Sequence, residues 1–196
     1  MALTFHISMS LDGYITGPDP RDDVPLGDGG EQLHDWMAGL TDLRRDRRSV
    51  TGTPDADVIG GAYDELGTLV MGRAMFDAGY EPWGADPPFG MPVFVVTHRP
   101  HEPLPMRGGT TYHFVTEGIE AALEQARAAA GGRDVGVAGG ANLAQQYLER
   151  GLLDELTIHL VPVLLGGGVR LFGPASRRLE QIRVTPSDGV THITYR

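Results

Sequence analysis

Apolar and polar positions alternate over residues 3–9 (LTFHISM), the period of a strand with one buried face. A stretch rich in Gly, Pro and Asp occupies 17–30, a length suited to a lid, a binding loop or a plain surface excursion. In EQLHDWMAGL the apolar residues Leu33, Trp36, Met37 and Leu40 recur at helical spacing. Thr53-Pro54-Asp55 reads as the cap and first turn of a helix running through Ile59, Ala62 and Leu66. Short elements then alternate: a strand at 68–71, a helical turn at 73–78, strands at 92–97 (PVFVVT) and 111–116 (TYHFVT), and a helix at 118–130. That helix carries Ile119, Ala122, Leu123 and Ala126 on one face. A strand at 135–138 and a helix at 142–150 follow, then the long run ELTIHLVPVLL at 155–165. The tail predicts a hairpin with Asp188-Gly189 at its turn.

Strands alternating with helices imply one α/β domain over 1–196, with a mixed, mostly parallel central sheet flanked by helices and a C-terminal antiparallel hairpin. Ligands of such sheets bind beyond the carboxyl ends of the strands. Four places meet that condition: residues 10–16, Gly72-Arg73, Thr97-His98-Arg99 and Gly139-Gly140-Ala141-Asn142. All four are expected on the same edge of one sheet.

Composition narrows the chemistry. The chain has no cysteine, so disulfides, thiolate metal sites and cysteine nucleophiles are excluded, and a cytoplasmic setting fits. A net charge of −10 argues against nucleic acid as a partner. The Arg44-Arg45-Asp46-Arg47-Arg48 cluster reads as a solvated face. The N-terminus has neither a basic leader nor a long apolar run, so neither secretion nor membrane insertion is expected. All 16 basic residues are arginine. Schiff-base chemistry on a lysine and the lysine of a Walker loop are therefore excluded. The seven histidines show no metal-ligand spacing, and no metal is expected.

Gly72-Arg73 follows a strand and opens a helix, so free amides and a guanidinium meet where a phosphate would sit. Thr97-His98-Arg99 repeats the arrangement with a hydroxyl. Gly139-Gly140 presents no side chain to block close approach, and Asn142 is expected to cap the helix behind it. The set suits a nucleotide with two phosphate groups and a 2′-phosphate held by arginine. The GxGxxG fingerprint is absent, so the pattern by itself reaches only an α/β domain for a phosphorylated ligand.

The blocks SLDGYITGPD, LVMGRAMFD, PVFVVTHRP and VAGGANLAQQYLERGLLDELTIHLVPVLLGGGVRLF, in this order and spacing, resemble the dihydrofolate-reductase-like superfamily. The branch they look most like is the reductase domain of riboflavin biosynthesis and its small stand-alone bacterial relatives. The resemblance implies a three-layer dihydrofolate-reductase-like fold, NADPH as cofactor and a homodimer. It places Gly72 and Arg73 at the adenosine-side phosphates, Thr97, His98 and Arg99 at the ribose 2′-phosphate, and Gly139, Gly140, Ala141 and Asn142 around the pyrophosphate. Ile15 and Thr16 would flank the nicotinamide. The implied reaction is hydride transfer to a small heterocyclic or ribosylamino substrate, with the riboflavin-pathway aminouracil phosphate as the named candidate. A pterin, and a non-catalytic NADP-binding module, are the alternatives. Asp12 is the candidate catalytic group: its carboxylate could bind the substrate, or protonate it if burial raises its pKa, and it could equally be a turn-former. Trp36 and Trp83 are candidate walls of the substrate pocket. No residue matches the superfamily's pterin-binding acid; Glu31 and Asp35 lie opposite the helix's apolar stripe.

Overall fold

The computed structural model describes residues 1–21, 23–37, 40, 52–173 and 178–196; the arginine cluster at 44–48 lies outside the described residues. Among the described residues nine strands form one sheet in the order β4-β5-β3-β2-β6-β1-β7-β9-β8. The strands are β1 Leu3–Ser10, β2 Leu66–Gly72, β3 Pro92–Val96, β4 Leu104–Pro105, β5 Thr111–Val115, β6 Asp134–Gly139, β7 Glu155–Val161, β8 Gln181–Ser187 and β9 Val190–Tyr195. The pairings β5-β3, β3-β2, β2-β6 and β6-β1 are parallel. Those of β4, β9 and β8 are antiparallel. This is the mixed, mostly parallel sheet that the alternating pattern implies. The chain divides into two compact units, Met1–Phe5 with Tyr63–Asp154, and His6–Ala62 with Glu155–Arg196.

In the first unit β2 is the central strand, and six of its seven residues are buried. That explains why LGTLVMG shows no alternation: a parallel strand covered on both faces needs apolar residues on both. Leu66, Leu69, Met71, Phe76, Phe89, Val93, Val95 and Tyr112 form the core cluster. The helices are α2 (Arg73–Trp83), α3 (Ile119–Ala129) and α4 (Ala141–Glu149). The stripe Ile119, Ala122, Leu123 and Ala126 is buried as its spacing predicts. Tyr147 of α4 is fully buried, and its hydroxyl donates to the Ile119 carbonyl at 2.9 Å. Such a satisfied tip lets a phenol sit in a core.

In the second unit the tail folds as the expected hairpin, β8 and β9 joined by Asp188 and Gly189, the glycine at φ 76°. Helix α1 spans Pro54–Glu65, and the Ala56 amide donates to the Thr53 hydroxyl at 3.2 Å, so the threonine caps as expected. Leu66, placed by its spacing at the end of that helix, instead opens β2.

Three further elements differ from the sequence pattern. Gly30–Met37 is a 3-10 helix, not an α-helix; Leu33 and Trp36 are three apart, which is one turn of a 3-10 helix and close to one of an α-helix. Helix α2 runs past Ala78 to Trp83 and contains Pro82 in its last turn. The run at 155–165 breaks after Val161, because Pro162 has no amide to donate to a ladder.

Candidate functional site

Within the first unit β3, β2 and β6 lie side by side and parallel, with Gly72 opposite Val96 and Met71 opposite Gly139. Their carboxyl ends therefore deliver Gly72-Arg73, Thr97 and Gly139-Gly140 to one edge. Helix α2 begins directly at Gly72 and α4 directly at Gly140, and neither has a side-chain capping hydrogen bond. A Cβ added to Gly72 would lie 3.4 Å from the Gly140 nitrogen, so the two helix starts almost touch. What the chain brings up against the glycine pair is another glycine. Two sets of unshared amides and two positive dipole ends then converge, the arrangement that holds an anion with closely spaced charges.

Glycine at 139 and at 140 serves different ends. Gly139 has φ 131°, a conformation L side chains rarely adopt, and the Gly139–Gly140 peptide is cis. Gly140 has φ −89°, open to any residue, and a Cβ there would meet nothing within 4 Å among the described residues. Space is thus kept above the main chain where a ligand would press on it. Asn142, expected to cap α4, does not: Gly140 holds the N-cap position, and Asn142 lies one position into the helix with its Oδ1 accepting from Gln146 Nε2 at 2.7 Å. Asn142 also leaves the helix start free of competing side-chain oxygen. Ala141 is half-buried in the first turn.

Around this cradle, Arg73 is half-buried, its Nε donating to Asp77 Oδ1 at 2.8 Å and its guanidinium 5.4 Å from the Phe76 ring centre. Both contacts hold the side chain at the start of α2. Thr97 is buried, and its hydroxyl accepts from the Arg99 amide at 3.1 Å, fixing a turn that leaves His98 and Arg99 exposed. Trp83, expected in a Pro-rich loop, ends α2 instead. Its ring lies over Gly79 of the same helix and edge-on to Phe89 at 4.9 Å, packed against the unit's core.

The second unit holds the remaining candidates. Asp12 Oδ1 accepts from the Ser10 hydroxyl at 2.6 Å and the Leu165 amide at 3.2 Å, and Oδ2 accepts from the Gly166 amide at 2.7 Å. The Ser10 hydroxyl most of all, against a weaker opposing effect of burial, and then the Gly166 and Leu165 amides hold this carboxyl below the usual carboxylate range. The net shift is downward, so the condition on which Asp12 would donate a proton is not met, and its carboxylate instead ties residues 10–16 to 162–170. The same tie includes the Ile15 amide to the Val169 carbonyl (2.9 Å) and the Val169 amide to the Thr16 hydroxyl (3.1 Å). Ile15 is buried and Thr16 half-buried. Arg170 completes it, donating to the Asp12 carbonyl (3.3 Å) and the Tyr14 hydroxyl (3.0 Å).

Trp36 packs between His159 and His192, with ring centres 4.9 and 5.1 Å away, and its Nε1 donates to the Leu33 carbonyl at 3.0 Å and the Ser8 hydroxyl at 3.2 Å. His192 contacts His159 through their Nδ1 atoms at 2.7 Å and Asp55 Oδ1 through Nε2 at 2.7 Å. Burial, helped by the neighbouring histidines, pushes His159 down to about 2 and His6 to about 4, so both rings are neutral at pH 7. Sequence reading by spacing missed this cluster, since His159 and His192 come from strands far apart in sequence. The signal was available in the strand register, which pairs them directly. Among the described residues no group of histidine and carboxylate side chains is arranged to hold a metal ion.

A parallel sheet with a glycine cradle at its carboxyl edge and an antiparallel hairpin at its far end is the dihydrofolate-reductase-like arrangement. A dihydrofolate reductase from Enterococcus faecalis, solved in complex with NADP(H), shares the fold at 15% identity and TM-score 0.55, over 99% of this chain and 95% of that one. The chain belongs to the RibD C-terminal domain family, whose model matches residues 2–192. A putative riboflavin biosynthesis protein from Shewanella is 26% identical with TM-score 0.66, covering 100% of this chain and 98% of that one. RibD of Acinetobacter baumannii has TM-score 0.60 at 16% identity, and the match spans 57% of its length. The YyaP protein of Bacillus subtilis, itself uncharacterised, is 27% identical over 96% of this chain.

Proposed function

We propose that this protein is an NADPH-dependent reductase acting on a small heterocyclic or ribosylamino compound, with the aminouracil phosphate of riboflavin biosynthesis as the named candidate substrate. The observation that carries the reading is the meeting of two uncapped helix starts at Gly72 and Gly140, with open space above Gly140. Family membership and the NADP(H) held by the Enterococcus relative support it. The residues present fit the group: amides at 73–75 and 141–143 would bind the pyrophosphate, and exposed Arg99 and His98 the 2′-phosphate. When bound, NADPH supplies the hydride.

The protein's own part is to bind, to orient and to hold charge. Arg73, fixed by Asp77 and Phe76, offers its outer nitrogens to a phosphate. Asp12, held ionised, organises its loop and does not deliver the proton. By the resemblance, Ile15 and Thr16 border the nicotinamide, and Trp36 belongs to the substrate side; Trp83, engaged by Gly79 and Phe89, has the weakest claim.

The test is thermal unfolding with NADPH, NADH and NADP+, followed by NADPH oxidation with the aminouracil phosphate and with dihydrofolate. A ligand at a hundredfold its Kd stabilises by about 2.7 kcal/mol, which moves the midpoint of a domain this size by roughly 5–11 °C. A shift with NADPH exceeding that with NADH, together with turnover, is the expected result. A shift without turnover on either substrate would make the protein a binding module, and no shift at all would sink the reading. Exposed Ile182 and Val184 on the edge strand β8 support a homodimer as the assembled state. Sedimentation should give twice the chain mass. No helix among the described residues is long and apolar enough to cross a membrane.

A further inference from the structure

Helix α1 carries two consecutive glycines, Gly60 and Gly61, in its interior. Glycine is the poorest helix former after proline, so interior glycines usually allow a close approach or a special backbone angle. Neither reason applies here. Neither residue has a positive φ, and a Cβ on either would meet nothing within 4 Å among the described residues. Packing among the described residues does not need them.

Gly61 does border a cavity of about 150 Å³ whose lining residues, from α1 and strands β1, β7, β8 and β9, all belong to the second unit. Gly61, Asp57 and Arg183 stand exposed at its rim; Thr157, Thr194 and His6 lie deeper. The Thr157 and Thr194 hydroxyls share one hydrogen bond at 3.1 Å, which leaves each with capacity to spare. His6 Nδ1 is buried and has no hydrogen-bond partner among the described residues. A buried polar atom left unmatched is costly, and such an atom beside a cavity calls for an occupant. His192, which also lines the cavity, is already committed at both nitrogens.

The lining selects the occupant's chemistry. Burial keeps the His6 ring neutral at pH 7, so it brings no charge to the interior. Hydroxyls both donate and accept, and the unmatched ring nitrogen adds another polar contact. The rim's carboxylate and guanidinium are one of each sign, so neither anion nor cation is favoured overall. At about 150 Å³ the space is below the roughly 300 Å³ at which pockets for drug-sized ligands begin, which points to a small molecule. We infer that this cavity is a binding site for a small uncharged molecule presenting adjacent hydrogen-bond donors and acceptors, with Gly61 kept bare to admit it. A short polyol and a cyclic amide share that chemistry. The site uses none of the residues of the glycine cradle and does not depend on the reductase reading.

The test pairs Gly60→Ala with Gly61→Ala in the full chain and titrates erythritol, uracil and inorganic phosphate by ligand-observed NMR. Both variants gain the same helix propensity, so both should unfold a few degrees higher than the parent. Only Gly61→Ala should lose binding, by at least tenfold, because only Gly61 borders the cavity. Binding of erythritol assigns a polyol, and binding of uracil a cyclic amide. Failure of both at millimolar concentration overturns the inference. So does binding that Gly61→Ala leaves intact, and so does binding by phosphate alone, which would replace the uncharged class with an anion held by Arg183.

Discussion

The cradle at Gly72, Gly139 and Gly140 is built from main chain, whereas the polar interior of the second unit is built from side chains. In the first, the working groups are amides freed by two helix starts, and side chains matter mainly by being absent. In the second, Asp12, Ser10, His159, His192, Asp55 and Trp36 each hold another in place through contacts of 2.6–5.1 Å. The difference teaches where each region is fragile. A main-chain site is lost when volume is added, and a side-chain network is lost when a partner is removed or its charge altered.

The largest break should come from pH. Folded His6 has a pKa near 4 against an unfolded 6.5, so the unfolded state binds more protons between those values. The stability held above pH 6.5 is therefore lost as pH falls, by about 3 kcal/mol from His6 alone by pH 4, at about 1.4 kcal/mol per unit. His159 adds to the loss in the same direction. Chemical denaturation from pH 7 to 4 should show this slope, and His6→Asn should flatten it.

Next is the cradle. Gly140→Val adds volume in open space, so the apo protein should unfold within about 1 kcal/mol of the parent while NADPH affinity falls about a hundredfold, near 2.7 kcal/mol. A variant that still binds NADPH would take Gly140 out of the site. Asp12→Ala removes the acceptor of the Leu165 and Gly166 amides, and the expected outcome is a lower midpoint in thermal unfolding. Asp12→Asn sharpens the point: a general acid would cost 10²–10⁴ in kcat on removal, and we expect far less. The smallest effect is Arg99→Ala, which should weaken NADPH about tenfold and leave NADH nearly unchanged, measured by titration.

How much of this was legible in the sequence follows the same division. Glycines at strand ends announce main-chain features directly, so the three places in the first unit could be marked from Gly72, Thr97 and Gly139 alone. The parallel register that brings them to one edge followed from alternation of strands and helices. Asn142 was misread because it is a good cap in isolation, and nothing local shows that the helix already begins at Ala141. The hydrogen bonds that hold Asp12 were legible only in part. Ser10, the largest influence on its pKa, is two positions away, but the amides at 165 and 166 that also hold it lie more than 150 positions away. Trp83 fell in a proline-rich stretch, and only the bare surface of Gly79 lets its ring fold back on a continuing helix.

Strand β1 gives Leu3–Phe5 to one unit and His6–Ser10 to the other, and the second unit draws the rest of its strands from Glu155 onward. A ribosome delivers these pieces in order. The first unit has all its residues once Asp154 has emerged, so it can close while synthesis continues. The second half of β1, with the loop that carries Asp12, must wait for β7 and for residues 162–170. The loop's partners at 162–170 thus arrive after the first unit is whole, and its ordering is a later event than closure of that unit, as contacts of such long sequence separation demand.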